Sequence, residues 1–446
     1  MANIVITTHW LDGDVVPFIN TGKLLKQRGH DVTIITHCHF EDRVKEAGLD
    51  FDATDSKEEF QRMVELMNRS NKGNQTIDEE EDLKNFAESN ERRIREFHVI
   101  EKHIKKPNTV LLSKSRSSVA ADLISEKYHI PLVSVFMNVI EPMSMVNFDE
   151  IYGQKELVRL NALREELKFE KVDSWLKWQA CPKMCVGLWP EWYSGEEDDW
   201  PGKITKVGFP IGANPAKDHP LDLPDEVVKI LEEKPILFTG STARRIRDNY
   251  YKVVIEALGK QDRKVIVTCA YPELLPEKIP ENVMCYSYIN IKELLPYVSM
   301  IIHHGGAGNV GGALAQGVPQ LILPGYIDQP FNGAICKKLG VAYTIPHVQW
   351  NVDNILDSVN RILEGQLDEK CQYYKTLMQK ERGLEKVVEL IEKVEGEERY
   401  AITYATDHAD STRKMGENTR KTMPKLSTMQ KELLLRKMKE KKEISR

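Results

Sequence analysis

The chain has 446 residues, too many for one small module and about the length of two domains with appendages. Hydrophobic residues make up 41% and charged residues 29%, which excludes a chain disordered throughout. The 62 basic and 68 acidic side chains leave a formal charge of -6, so no global positive field is available to hold nucleic acid.

The first strand is expected at Asn3 to Thr8, followed by a helix from about Phe18 to Arg28 and a second strand over Asp31 to Thr36. This is a βαβ pattern. A second such unit runs through Thr109 to Leu112, a helix from Ser117 to Tyr128, and a strand from Pro131 to Phe136. Between the two units, residues 58–105 are polar and helix-prone, carry the acidic run from Asp78 to Asp82, and read as a mobile helical insertion. Six prolines between Trp189 and Pro235 mark an interdomain linker. A further α/β series follows: Ile236 to Thr239, a helix from Asp248 to Leu258, Lys264 to Thr268, Ser299 to His303, a helix from Gly308, and Gln320 to Leu323. Amphipathic helices are expected at Val352 to Gly365 and Asp368 to Val394. The predicted class is α/β with two tandem Rossmann-like parallel-sheet domains, 1–210 and 211–396, and a basic tail, 397–446. Within that tail, Ser427 to Lys442 sets leucines among Lys and Arg, the composition of either a solvated extension or a docking helix.

No apolar run reaches the roughly 18 residues of a membrane span, and the opening MANIVITTHW has no basic n-region or small-residue cleavage site. A cytoplasmic location is therefore expected. The seven cysteines include one close pair, Cys181 and Cys185, with no second pair at zinc-ribbon spacing, so reduced buried thiols are expected.

The most informative segment is Ile301-Ile-His-His-Gly-Gly-Ala-Gly-Asn-Val-Gly-Gly, a strand running into a glycine-rich turn and then a helix. Glycines let the backbone approach an anion, while the free N–H groups and positive dipole end of the helix stabilise its charge. His304 is placed to add a donor to a diphosphate oxygen. Gly306 to Gly311 also satisfies the literal GxGxxG pattern, so a dinucleotide-dependent oxidoreductase is the first alternative. In that reading Asp328, at about the right distance, should end the next strand, yet it follows Leu323-Pro324-Gly325 in a loop.

His303-His-Gly-Gly-Ala-Gly, Ala315-Gln-Gly-Val-Pro-Gln, Pro324, Asp328-Gln-Pro-Phe-Asn and Leu339-Gly-Val-Ala stand in the order and spacing of a known donor-binding signature. With Gly13-Asp-Val-Val-Pro, Gln27-Arg-Gly-His-Asp-Val-Thr, Thr239-Gly-Ser and Tyr288-Ile-Asn-Ile, the chain resembles the GT-B nucleotide-sugar glycosyltransferases. More narrowly, it resembles the antibiotic and macrolide branch of the UDP-glycosyltransferase superfamily, over roughly residues 1–395. The resemblance implies an inverting hexosyltransferase whose two domains face a cleft. A UDP- or dTDP-sugar would be the donor and a hydroxyl of a lipophilic natural product the acceptor, with no cofactor or metal. It places the donor diphosphate on His304 and the backbone of Gly306, Ala307, Gly308 and Asn309, and the sugar hydroxyls on Asp328 and Gln329. Gly13, Ser241, Tyr288 and Ile289 are implied as further donor contacts, the last two near the base. Asn309 stands where the family has Thr or Ser, and Asn290 where Pro is common.

The resemblance places Asp14 at the position of the family's catalytic base, His or Asp, and this reading is preferred to that of an N-cap for the helix beginning near Val16. His9 and Asp12 are the substitutes. Arg244 and Arg245 are read as exposed helix-start cations or as supplements to the phosphate site. Asp50-Phe-Asp52 imitates a DxD metal motif and is read as a surface turn; His37-Cys-His39 is read as strand, on which the three cannot converge on one ion. Trp175, Trp178, Trp189, Trp192 and Tyr193 either line the acceptor cleft or pack the linker. A further alternative is a non-catalytic partner protein that works through its tail. The tail faintly resembles segments that open modules of peptide and polyketide synthetases, which implies docking to an assembly line.

Overall fold

The computed structural model describes residues 1–70, 82, 85–105, 108–181, 183–194, 202–211, 221–240, 246–247, 249–325 and 328–404. The first sheet contains β1 (Asn3–Thr7), β2 (Asp31–Thr36), β3 (Asp50–Ala53), β4 (Thr109–Lys114), β5 (Leu132–Phe136), β6 (Met184–Gly187) and β7 (Ile204–Lys206). The second contains β8 (Ile236–Thr239), β9 (Val265–Thr268), β10 (Val283–Tyr286), β11 (Met300–His303), β12 (Gln320–Ile322) and β13 (Ala342–Thr344). The strand orders are β3-β2-β1-β4-β5-β6-β7 and β10-β9-β8-β11-β12-β13, and every pairing is parallel. Both are the Rossmann order, reversing between β1 and β4 in one sheet and between β8 and β11 in the other. At each reversal the connecting helices leave to opposite faces, and the carboxyl ends of the strands open a crevice. The two tandem Rossmann-like sheets are those expected from the sequence.

Period-two alternation divides the first sheet between two cores. Val5, Ile35 and Leu111 pack on one face; Ile4, Ile6, Val32, Ile34, Val110 and Leu112 pack on the other. The second face also holds Val387, Val388, Ile391 and Val394 of the helix Gly383–Val394, so the chain crosses back from the second sheet to the first. One helix was expected from Asp368 to Val394; there are two, Asp368–Met378 and Gly383–Val394. The break lies where the backbone meets the linker, and a methyl group at Gly383 would stand 2.4 Å from the Phe209 carbonyl oxygen.

Other departures have local causes. The first helix begins at Asp12 rather than near Phe18, with Pro17 inside it, near enough to the N-terminus that few helical hydrogen bonds are lost. Asp50-Phe-Asp52 is the edge strand β3 rather than a turn, and Asp52 pairs with His103 at 3.0 Å. The His37-Cys-His39 segment is not strand: β2 ends at Thr36 and a 3₁₀ turn spans Cys38–Phe40. Among the described residues no group of three or more His, Cys, Asp or Glu is placed to hold a metal ion. Strands β6, β7, β10 and β13 went unrecognised because each is partly exposed, whereas the equally short β8, β9, β11 and β12 are buried throughout and read as apolar runs. All seven cysteines are free thiols, five of them buried.

Trp175, Trp178 and Trp189 are buried in the core, and Trp192 packs at 5.0 Å from Tyr374, so the aromatic cluster packs the first domain and its linker. The insertion contributes the helices Lys57–Ser70 and Asn90–Lys102; its acidic run lies outside the described residues except for Asp82. No described helix is long and apolar enough to cross a membrane.

The tail from 405 onward, with the docking segment expected there, lies outside the described residues. Its first residues are anchored. Ala401 and Ile402 are buried, and the Ile402 N–H donates to Ser125 Oγ at 3.0 Å. Ile402→Ala is therefore expected to cost about 2 to 5 kcal/mol in denaturant unfolding of the full chain, as for other fully buried isoleucines. A loss below about 0.5 kcal/mol, the level of a surface substitution, would show that this anchor does not form.

Candidate active site

The glycine-rich turn follows β11. His303 is fully buried: its Nε2 bonds Gln320 Oε1 at 3.0 Å and its Nδ1 accepts from the Gly305 N–H at 3.0 Å. It is a structural group that fixes the turn, and burial pushes it down to about 3. Gly305 has φ +95°, and a methyl group there would stand 3.0 Å from both the Gln329 carbonyl oxygen and Ile322 Cγ2. Gly306 caps the helix Ala307–Gln316, and a methyl group on it would meet His304 Nε2 at 2.6 Å. Glycine is thus required for the His304 ring to lie over the helix start. Burial pushes His304 down to about 4, and its Nδ1 is buried without a partner in the protein. It offers a neutral imidazole rather than a cation, beside the N–H groups of the first helical turn.

A second helix start faces the same turn. Asp328 caps the helix Gln329–Leu339, its Oδ2 accepting from Asn332 Nδ2 at 3.0 Å, and burial pushes it up to about 6. Gln329 is buried, and its Oε1 accepts from the Gly325 N–H at 2.9 Å. Asn332 Nδ2 also donates to the Gly305 carbonyl at 2.9 Å, and Tyr193 Oη donates to Asn332 Oδ1 at 3.1 Å. Asn332 did not stand out as a site residue, and Tyr193 was read only as a member of the aromatic cluster, because their importance lies in joining two loops distant in sequence.

The first domain presents its own crevice between β1 and β4. Asp14 lies in the first turn of the helix Asp12–Gln27, beyond the N-cap, which is Leu11. Its Oδ1 pairs with Lys114 Nζ at 2.6 Å, from the last residue of β4. Burial alone would lower Lys114; the charges of Asp14 and Glu141 outweigh it and raise the amine. Glu141 opens the helix Glu141–Glu166, accepts from the Met137 N–H at 2.6 Å, and is pushed by burial up to about 7. The charges of Asp14 and Lys114 also act on Asp328, so the crevices of the two sheets confront one another. Lys114 and Glu141 were not singled out from the sequence; a lysine at the carboxyl end of a switch-point strand was the available signal.

The remaining expected residues fall into distinct places. His9 Nε2 bonds Glu96 Oε1 at 2.9 Å, an oxygen that also accepts from Ser118, so this histidine is held within the first domain. Asp12 pairs with Arg43 at 2.6 Å on the exposed side. Gly13 is exposed, and Gly308 and Asn309 lie in the first turn of the helix after the glycine-rich loop. Tyr288 is 77% exposed, whereas Ile289 is buried among Leu237, Ile266 and Ile301, which leaves only its backbone for a ligand. Ser241, Arg244 and Arg245 lie outside the described residues.

The Glu141 carboxyl makes a pH prediction. Because it binds its proton more tightly folded than unfolded, the stability it contributes is present below its ordinary value of 4.5 and is lost as pH rises through about 7. Between about pH 5 and pH 8 the wild-type chain should therefore lose stability relative to Glu141→Gln, measured by thermal melts at matched ionic strength. A constant difference between the two across that window would contradict the buried, protonated carboxyl.

Residues 252–380 match the family described as "Erythromycin biosynthesis protein CIII-like, C-terminal domain". Aclacinomycin-T 2-deoxy-L-fucose transferase of Streptomyces galilaeus is 31% identical over 149 residues, covering 33% of this chain and 34% of that protein. O-mycaminosyltylonolide 6-deoxyallosyltransferase of Streptomyces fradiae is 23% identical over 437 residues, covering 91% of this chain and 99% of that protein. Against the Streptomyces galilaeus protein and two sterol 3-beta-glucosyltransferases, from Candida albicans and Arabidopsis thaliana, the chain spans 24 to 34% of the relative's length. The crystal structure of glycosyltransferase VinC in complex with dTDP superposes with a TM-score of 0.65 at 16% identity, over 88% of this chain and 98% of that one. The chain therefore has the GT-B fold, and the resemblance to the antibiotic branch of the UDP-glycosyltransferase superfamily is borne out.

Proposed function

We propose that the protein is an inverting glycosyltransferase that moves a sugar from a UDP- or dTDP-sugar to a hydroxyl of a lipophilic natural-product acceptor. The observation that carries the reading is the confrontation of two switch-point crevices. One holds an anion-receiving turn with His304 above a helix N-terminus, and the other holds an Asp14 carboxylate. The dTDP in the VinC structure supports a nucleotide-sugar donor in this fold.

In this mechanism the acceptor lies against the first domain, and Asp14 takes the proton of its hydroxyl as the oxygen attacks the anomeric carbon. The carbon–oxygen bond to the diphosphate breaks in the same displacement, so configuration inverts and no covalent sugar intermediate forms. Charge that develops on the departing diphosphate meets the N–H of His304 and the N–H groups of Ala307, Gly308 and Asn309. Asp328 and Gln329 hold the sugar hydroxyls, and Lys114 orients the Asp14 carboxylate. The reaction is proposed to need no metal, the helix N-terminus taking the role of counter-charge.

The dinucleotide reading fits less well. The glycine-rich turn follows the fourth strand of its domain, whereas the dinucleotide fingerprint lies in the first βα turn. Beyond β12 the chain continues Leu323-Pro324-Gly325, with no acid at the strand's end to take a ribose. The basic sequence from 405 on is proposed to dock on an assembly-line partner. Deleting 405–446 should then spare transfer to a free acceptor and abolish transfer to a carrier-bound one.

Calorimetry against UDP, dTDP and NAD without added metal tests the donor site. Saturable UDP or dTDP binding, lost in His304→Ala, is expected, and binding of NAD alone would replace this reading by a redox one. In turnover, Asp14→Asn should lower kcat by about 10² to 10⁴-fold while leaving nucleotide affinity unchanged, the range for removal of a general base. Wild-type kcat in that variant would remove Asp14 from the mechanism.

A further inference from the structure

A cavity of about 270 Å³ opens in the first domain at Lys114, the partner of Asp14, bounded by the loop after β1, the insertion helices and the start of the helix Glu141–Glu166. Trp10, Met63, Ala87 and Met145 give it an apolar part, but charged and polar side chains make up most of the wall. Four of these are Lys or Arg, and three are neutralised by the protein. Lys114 pairs with Asp14 at 2.6 Å, Arg92 with Asp55 at 3.4 Å, and Arg93 with Glu88 at 3.5 Å.

Arg116 is different. It is half-buried in the turn after β4 and has no carboxylate within ion-pairing distance among the described residues. Its guanidinium carbon lies over the Phe148 ring, 4.1 Å from the centre, a contact that uses none of its N–H donors. Its backbone sits at φ +63°, in the left-handed region that bulky residues rarely adopt. The planar guanidinium carries these donors in the fork that matches a carboxylate.

A second polar group in the same wall also lacks a partner. His37 is 3% exposed, its Nδ1 bonds Asp55 Oδ2 at 2.5 Å, and its Nε2 is buried with no partner in the protein. With the Nδ1 proton directed at Asp55, Nε2 presents a lone pair that a ligand hydroxyl satisfies. Burial keeps this ring neutral by pushing its basicity down. A wholly apolar ligand would leave both groups desolvated and unpaired, which is unfavourable.

Resting on the glycosyltransferase reading, we propose that the acceptor is a hydroxylated organic acid: a lipophilic body with a carboxylate that Arg116 holds and a hydroxyl that meets His37. The apolar patch from Trp10 to Met145 takes the body of the molecule. Arg116 is a specificity residue that reads the acid, and it takes no part in the proton transfer.

The test uses the full chain saturated with whichever nucleotide, UDP or dTDP, it binds, and a panel of hydroxylated aromatic and long-chain acids with their methyl esters. By equilibrium binding, the best acid should bind about 10 to 100-fold more tightly than its own ester, the range for a charge-assisted hydrogen-bonded pair. Arg116→Asn, chosen because Asn tolerates the left-handed backbone, should abolish that preference, and Arg116→Lys should retain part of it. Both variants should melt like the wild type and bind the nucleotide unchanged. Acids that bind no better than their esters would overturn the proposal, as would a preference that survives Arg116→Asn. Loss of nucleotide affinity in Arg116→Asn would assign the residue to the donor instead. Failure of the glycosyltransferase reading is separately visible, as a wild-type chain that binds neither UDP nor dTDP.

Discussion

The amide of Asn332 is the joint on which the candidate site depends. This side chain is 1% exposed, and its Nδ2 donates to both the Gly305 carbonyl and the Asp328 carboxylate while its Oδ1 accepts from the Tyr193 hydroxyl. Three segments are fixed by one group: the glycine-rich turn after β11, the helix start after β12, and the linker from the first domain. An amide is suited to this because it is both donor and acceptor at full valence, whereas an aspartate in its place would only accept. Buried polar networks of this kind are rigid when every member is satisfied, and here each named atom has a partner at 2.9 to 3.1 Å.

Burial then sets the charge state of the cleft. Asp328 and Glu141 are both pushed up by desolvation, to about 6 and about 7, while His304 is pushed down to about 4. The same cause acts in opposite directions because water is lost to the charged form in each case, the anion of a carboxyl and the cation of an imidazole. The exception is the Lys114 and Asp14 pair, in which two opposite charges at 2.6 Å outweigh the burial of the amine. The cleft therefore combines a paired carboxylate with carboxyls that titrate near neutrality, the environment in which proton transfer at physiological pH is most efficient.

Legibility from the sequence followed the contiguity of each feature. The alternation of apolar runs and helical periods identified β1, β2, β4, β5, β8, β9, β11 and β12, the inner strands of both sheets except β6. The four strands overlooked entirely, β6, β7, β10 and β13, lie at or next to a sheet edge and are partly exposed, so they lack the continuous burial of the equally short β8, β9, β11 and β12. The edge strand β3 was seen only as a turn, because it follows directly on Ala47-Gly48-Leu49. The His303 to Asn309 turn was legible because glycine identity and backbone path are the same information. Lys114, Glu141, Asn332 and Tyr193 were not, since each acts on a partner at least 27 residues away or through burial that no local window records.

The same reasoning explains why the two halves of the cleft differ in kind. The turn beneath His304 is built largely from backbone N–H groups and glycine geometry, which suit an anion and are encoded in one short stretch. The opposing wall is built from side chains drawn from the loops after β1, β2, β3 and β4, the insertion helices and the helix from Glu141, segments with no common motif. Side-chain walls of that sort change with single substitutions while the sheet beneath them stays intact. The return of the helix Gly383–Val394 to the first sheet holds the two halves in one body, with Val387, Val388 and Ile391 packed beneath β1 and β4. The glycine-rich turn is thereby set against a wall of side chains, and the charges that face across the cleft, Asp14 and Lys114 against Asp328, are where the two must agree.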